Sequence, residues 1–214
     1  MPSAHAARLA PDLLPPTDSL VFGDRPPSKP AEPPVANTRL ALLLFLATET
    51  MLFAGLMGIF VVFRVSSHTW PPPGQPYLPI AVTWMNTGIL MASGWTMWRA
   101  AATVHRGGTQ VRTDLVVTLL LGTTFLAVQG FEWARLIRHG LTLSSSTYGG
   151  TFYILIGLHA LHVIGAVLWL GIVLIGVSNG RYRAKGSNAV GLCGMYWAYV
   201  CALWLVLFWL VYLM

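Results

Sequence analysis

Four side chains in or against the long apolar runs of this sequence could do chemistry: Glu49, Glu132, His159 and His162. The two histidines lie three apart in "GLHALHVIG", with no other polar side chain between the flanking glycines, and on a helix they share one face. Imidazoles placed in hydrocarbon can ligate a metal or haem, relay protons, or bond a neighbouring helix. Haem held by two histidines needs them on opposite sides of the macrocycle, usually on different helices, and no other apolar run contains a histidine. A three-ligand metal site lacks partners for the same reason. A hydrogen bond to a carboxyl on an adjacent helix fits better, with Glu132 as the expected acceptor. Neither a catalytic residue nor a metal ligand is expected.

Glu49 is the tenth residue of a run that begins at Leu40, roughly 15 Å along at 1.5 Å per residue, or about mid-bilayer. An isolated carboxylate there costs several kcal/mol, so Glu49 is expected to be protonated, hydrogen-bonded, or turned to another protein surface. A neutral carboxyl joining two helices, a step on a proton path, and a subunit contact all satisfy that requirement. Thr48 and Thr50 can bond helix carbonyls but cannot neutralise the acid. Glu132 has Arg135 one turn away and lies near the membrane boundary, which suits an ion pair or a helix-packing bond. Cys193 and Cys201, eight apart inside one apolar run, match no redox or disulfide spacing and read as buried thiols. The sequence has no Ser/His/Asp arrangement and no phosphate loop.

The elements that must position these groups follow from composition. Of 214 residues, 55% are apolar and 9% charged, too greasy to cover a soluble surface. The net charge of +6 forms no basic patch interleaved with aromatics, so nucleic acid is not expected. Five apolar runs, Leu40–Phe63, Tyr77–Trp98, Leu115–Phe131, Thr151–Val177 and Val190–Tyr212, each approach the roughly 20 residues that span a bilayer. Backbone groups must be satisfied inside lipid, which makes helices the expected state: an all-α, polytopic membrane bundle with five transmembrane helices. The third run is short, and its helix is expected to continue past Glu132 towards Ile137.

Residues 1–38 hold nine of the fourteen prolines and four of the seven acidic residues, and read as a disordered cytoplasmic arm before a domain at 39–214. No early apolar core suggests a signal peptide. Ten of the thirteen Lys and Arg fall on the arm and on the second and fourth loops; Arg64, Arg135 and Arg138 fall on the other side. That bias places the N-terminus in the cytoplasm. Arg181, Arg183 and Lys185 suit lipid headgroups at the inner surface. Gly149, Gly150, Gly157 and Gly165 permit close helix approach. Trp197 and Trp204 form a packing stripe, and Trp95, Trp98, Trp204 and Trp209 suit an interfacial belt.

Together these segments resemble subunit III of the haem-copper oxidases, the cytochrome c and quinol oxidase family, from about residue 39 onward. "LATETMLFAGLMGIFVVF" resembles its glutamate-bearing helix, with Glu49 at the glutamate position. "WMNTGILMASGWTMWRA" and "FLAVQGFEW" resemble the next two helices, the latter through Gln129 and Glu132. "YGGTFYILIGLHALHVIG" is similar to the helix with a His-x-x-His pair, and "MYWAYVCALWLVLFWLVYLM" to the last helix. The family's usual histidine and aspartate in that last helix are replaced by Ala198 and Cys201. Five helices match the short form of the family.

The resemblance implies a non-catalytic subunit without a redox centre. Haem and copper are expected in partner subunit I, with copper also in subunit II of a cytochrome c type. The complex would be a proton-pumping oxidase of aerobic respiration in the bacterial inner membrane. Expected partners are subunits I and II, phospholipids, and further subunits of a respiratory complex. Glu49 would support proton uptake or meet subunit I, while Gln129, Glu132, His159 and His162 would lock helices. A divergent subunit of a quinol oxidase, nitric oxide reductase or supercomplex, and a purely structural scaffold, are the alternatives. A transporter would need a longer polar pathway, and a membrane cytochrome would need ligand pairs on separate helices.

Overall fold

The computed structural model describes residues 34–70, 72, 74, 78–104, 109–179 and 186–214. Five helices follow in order: α1 (Pro34–Ser66), α2 (Ile80–Thr103), α3 (Thr109–Arg138), α4 (Thr147–Ser178) and α5 (Gly186–Phe208). A π-helical turn, Trp209–Leu213, extends α5. Apart from residues 34–38, the expected arm lies outside the described residues. Helix α1 begins at Pro34, so residues 34–38 are helical rather than part of an arm. Proline is tolerated there because a first-turn residue has no intrahelical N–H bond to lose.

Helix ends follow local chemistry. The carbonyl of Pro79, just before α2, accepts from both the Thr83 amide (3.1 Å) and the Thr83 hydroxyl (2.9 Å). Helix α3 does run past Glu132, to Arg138. It stops at Gly140, whose φ of 89° lies where only glycine is unstrained. Ser146 caps α4 by accepting from the Gly149 amide at 3.1 Å. A Cβ on Gly149 would collide with the carbonyl oxygen of Thr142, whereas one on Gly165 would meet nothing within 4 Å. The close approach at Gly149 is thus to the loop that precedes α4 rather than to a neighbouring helix, and Gly165 has none among the described residues.

Among the described residues, four helices are long and apolar enough to cross a membrane: α1, α3, α4, and α5 with its π turn. Helix α2 has the length, with 24 residues. Its buried Thr83, Asn86, Thr87 and Ser93 dilute its apolar character. Those groups face protein: α2 packs along α3 and α5, and α4 packs against α3 and α5, which closes a four-helix bundle. Helix α1 lies against α4 and α5 and leaves most of its surface exposed.

Trp197 and Trp204 fill the centre of the bundle with Phe125, Phe152, Leu90 and Met97, all nearly or fully buried. Their indole N–H groups bond α2: Trp197 donates to the Ser93 hydroxyl (3.1 Å) and Trp204 to the Thr87 hydroxyl (2.9 Å). A Cβ on Gly122 would stand 2.6 Å from the Trp197 ring, so only glycine admits that ring between α3 and α5. The packing stripe is thus found, but Trp204 is a core residue and not part of an interfacial belt. Trp95, Trp98 and Trp209 are exposed.

Candidate functional site

Glu49 of α1 and His162 of α4 meet at 2.8 Å, Oε2 to Nε2, and both side chains are largely buried. The other ring nitrogen, Nδ1, lies 2.7 Å from the Leu158 carbonyl oxygen. A carbonyl can only accept, so Nδ1 carries a hydrogen. One further proton must then lie between Nε2 and Oε2. The pair is either imidazole with carboxylic acid or imidazolium with carboxylate, and it has no net charge in either form. This arrangement gives the acid expected at mid-bilayer a hydrogen-bond partner. Phe53 packs edge-on to the His162 ring at 5.3 Å. Thr48 and Thr50 bond the carbonyls of Phe45 and Leu46, both at 2.7 Å, and the Thr50 hydroxyl also lies 3.5 Å from the Tyr199 hydroxyl.

The expected acceptor for the histidines is corrected: the carboxyl that meets the His-x-x-His pair is Glu49, not Glu132. Three helical residues advance about 300°, which leaves the two rings about 60° apart. On α4 that difference sends His162 towards α1 and His159 into the bundle. His159 is fully buried, stacks on Trp204 at 5.1 Å, and stands edge-on to Phe125 at 6.5 Å. Neither of its ring nitrogens has a hydrogen-bond partner among the described residues.

Gln129 faces the same interior. Its Oε1 lies 3.5 Å from Asn86 Nδ2 and its Nε2 lies 3.5 Å from the Tyr212 hydroxyl, while Asn86 also donates to the Phe125 carbonyl at 3.2 Å. Glu132, one turn further on, is buried, and its Oε2 lacks a hydrogen-bond partner among the described residues. The expected ion pair with Arg135 is not formed, because Glu132 points inward and Arg135 outward. The four residues expected to form one locking network are therefore divided. Gln129 bonds Asn86 and Tyr212, with Glu132 one turn beyond it; His162 joins Glu49; and His159 makes ring contacts only.

Three residues were not singled out from sequence. Asp114 is buried and pairs with Arg99 at 3.4 Å, joining the facing ends of α2 and α3. Opposite charges on either side of the short second loop were the available signal. Asn86 breaks the apolar pattern of its run, which was the available signal, whereas Tyr212 looks like an ordinary residue of an apolar run until the helices are assembled. Ala198 is exposed and Cys201 is buried, its thiol 3.7 Å from the Leu90 carbonyl. Arg181, Arg183 and Lys185 lie outside the described residues. No group of three or more His, Cys, Asp or Glu able to hold a metal occurs among the described residues. The chemistry within reach is holding and sharing protons.

Residues 33–214 match the sequence profile of the family described as cytochrome c oxidase subunit III. A probable cytochrome c oxidase subunit 3 of Nocardia farcinica is 34% identical over 173 residues, covering 79% of this chain and 84% of that protein. The one of Mycobacterium leprae is 33% identical over 172 residues, with the same shares covered. A cytochrome c oxidase subunit 3 of Thermostichus vulcanus is 31% identical over 184 residues, covering 82% of this chain and 86% of its length.

Proposed function

The chain belongs to the cytochrome c oxidase subunit III family, and from that membership we propose that its Glu49–His162 pair holds a titratable proton near mid-membrane in support of an oxygen-reducing partner. The protein is a non-catalytic subunit III of a haem-copper oxidase and a multi-pass membrane protein. Subunits I and II are the proposed partners, with haem and copper in subunit I and copper in subunit II. Proton pumping belongs to subunit I in this reading, and no redox centre to this chain. The complex sits in the bacterial inner membrane with the N-terminus in the cytoplasm, and α2 serves as a fifth span. Residues 1–33 form a Pro-rich arm, and Arg181, Arg183 and Lys185 meet lipid headgroups. Gln129, Glu132 and His159 hold the interior packing of α3, α4 and α5.

The observation that carries the reading is the 2.8 Å contact between Glu49 and His162. It ties the outlying α1 to the bundle. It also keeps one proton on a pair that stays neutral whichever partner holds it, so that proton can shift within the pair without leaving a bare charge in lipid. Glutamine at position 49 keeps a hydrogen bond to the ring but removes the carboxyl proton. The Glu49→Gln complex is expected to assemble and to lose turnover during sustained reaction faster than the parent. A variant that assembles and lasts as long as the parent removes the proton-supporting role. It leaves the scaffold reading, which the full bonding of both His162 nitrogens favours.

A further inference from the structure

We propose that Asn86, Glu132 and His159 line an interior hydration site, where bound water bridges α2, α3 and α4 away from the Glu49–His162 pair. Each of these helices brings a side chain at least nine-tenths buried that has an atom without a hydrogen-bond partner among the described residues. These atoms are Asn86 Oδ1, Glu132 Oε2 and both ring nitrogens of His159.

Phe125 links two of them, and Glu132 stands two turns further along the same face of α3. The carbonyl of Phe125 accepts from Asn86 at 3.2 Å, its ring meets His159 at 6.5 Å, and it lies one turn before Gln129, which in turn lies one turn before Glu132. Three of the protein's own donors nearby are already committed, whereas the buried indole N–H of Trp133, next to Glu132 on α3, has no hydrogen-bond partner among the described residues. Asn86 Nδ2 is on the Phe125 carbonyl, Gln129 Nε2 faces Tyr212, and Trp204 Nε1 is on Thr87.

The unmatched set sorts ligands by chemistry. A neutral His159 offers one donor and one acceptor, Asn86 offers an acceptor, and Glu132 offers a carboxyl oxygen. An apolar occupant would leave every one of these unbonded. A hard cation would find one carboxyl and one amide oxygen, short of the shell such ions take. An anion would face two acceptor oxygens. Water donates twice and accepts twice, and so fits all three groups.

The test is a cryo-electron-microscopy map of the intact complex in lipid nanodiscs, at a resolution that shows ordered water. Density is expected at ordinary hydrogen-bond distance, about 2.7–3.2 Å, from at least two of Asn86 Oδ1, Glu132 Oε2 and the His159 ring nitrogens. Asn86→Leu is expected to lose that density, and Asn86→Asp, which keeps an acceptor, to retain it. The proposal is overturned if these atoms bond protein or lipid directly with no such density, or if Asn86→Leu leaves the density unchanged. Should Asn86→Leu fail to assemble, the parent map decides alone. None of these readouts depends on whether Glu49→Gln alters turnover.

Discussion

Glu49 and His162 share one hydrogen bond, so a change at one is felt at the other. A double-mutant cycle makes this measurable. Glu49→Gln, His162→Gln and the double variant, compared by thermal unfolding of the purified complex, are expected to be non-additive by about 0.5–3 kcal/mol. Additive losses would mean that the 2.8 Å contact contributes no coupling. The sequence showed that Glu49 was too deep to stand alone, because depth can be counted along a helix at a fixed rise. It did not show which ring would meet it. Pairing depends on the rotation of each helix and on which helices are neighbours, and both are set by packing across more than a hundred residues. Glu132 was the expected acceptor, as a carboxyl on an adjacent helix. In the fold α1 covers the His162 side of α4, while Glu132 turns into the bundle on α3.

Among the elements, glycine divides by what faces it. Gly149→Ala forces a methyl group into the Thr142 carbonyl, beside the serine-capped start of α4. It is expected to lower stability by about 1–3 kcal/mol. Gly165→Ala meets open space and is expected to stay within about 0.5 kcal/mol of the parent. The melting temperatures of the two purified variants check both. Equal losses would mean that the approach at Gly149 is not what limits packing. Apolar length made the helices legible as elements, and α3 does extend past Glu132. The role of α2 was less legible, because Thr83, Asn86, Thr87 and Ser93 look like breaks in an apolar pattern. Assembled, Ser93 and Thr87 accept from the indoles of α5, and Asn86 meets the amide of Gln129. The π turn was not legible at all. It buries three consecutive residues, Leu210, Val211 and Tyr212, and brings the Tyr212 hydroxyl towards Gln129.

For the molecule as a whole, the distribution of Lys and Arg gives the orientation a direct check. Reporter domains fused within residues 99–113 are expected to report the cytoplasm, and reporters placed after Arg138 the opposite side. A reversed result would invert the proposed topology. One feature of the bundle also bears on how the chain is made. Helix α1 is synthesised first, yet Glu49 finds His162 only 113 residues later. At about 5–20 residues per second, translation leaves an interval on the order of ten seconds. During that time the leading helix holds an acid in the bilayer with no imidazole to share its proton. Biogenesis must therefore deliver α1 with Glu49 protonated, or shelter it beside the insertion machinery until α4 emerges. A ribosome stalled before residue 162 would trap that intermediate.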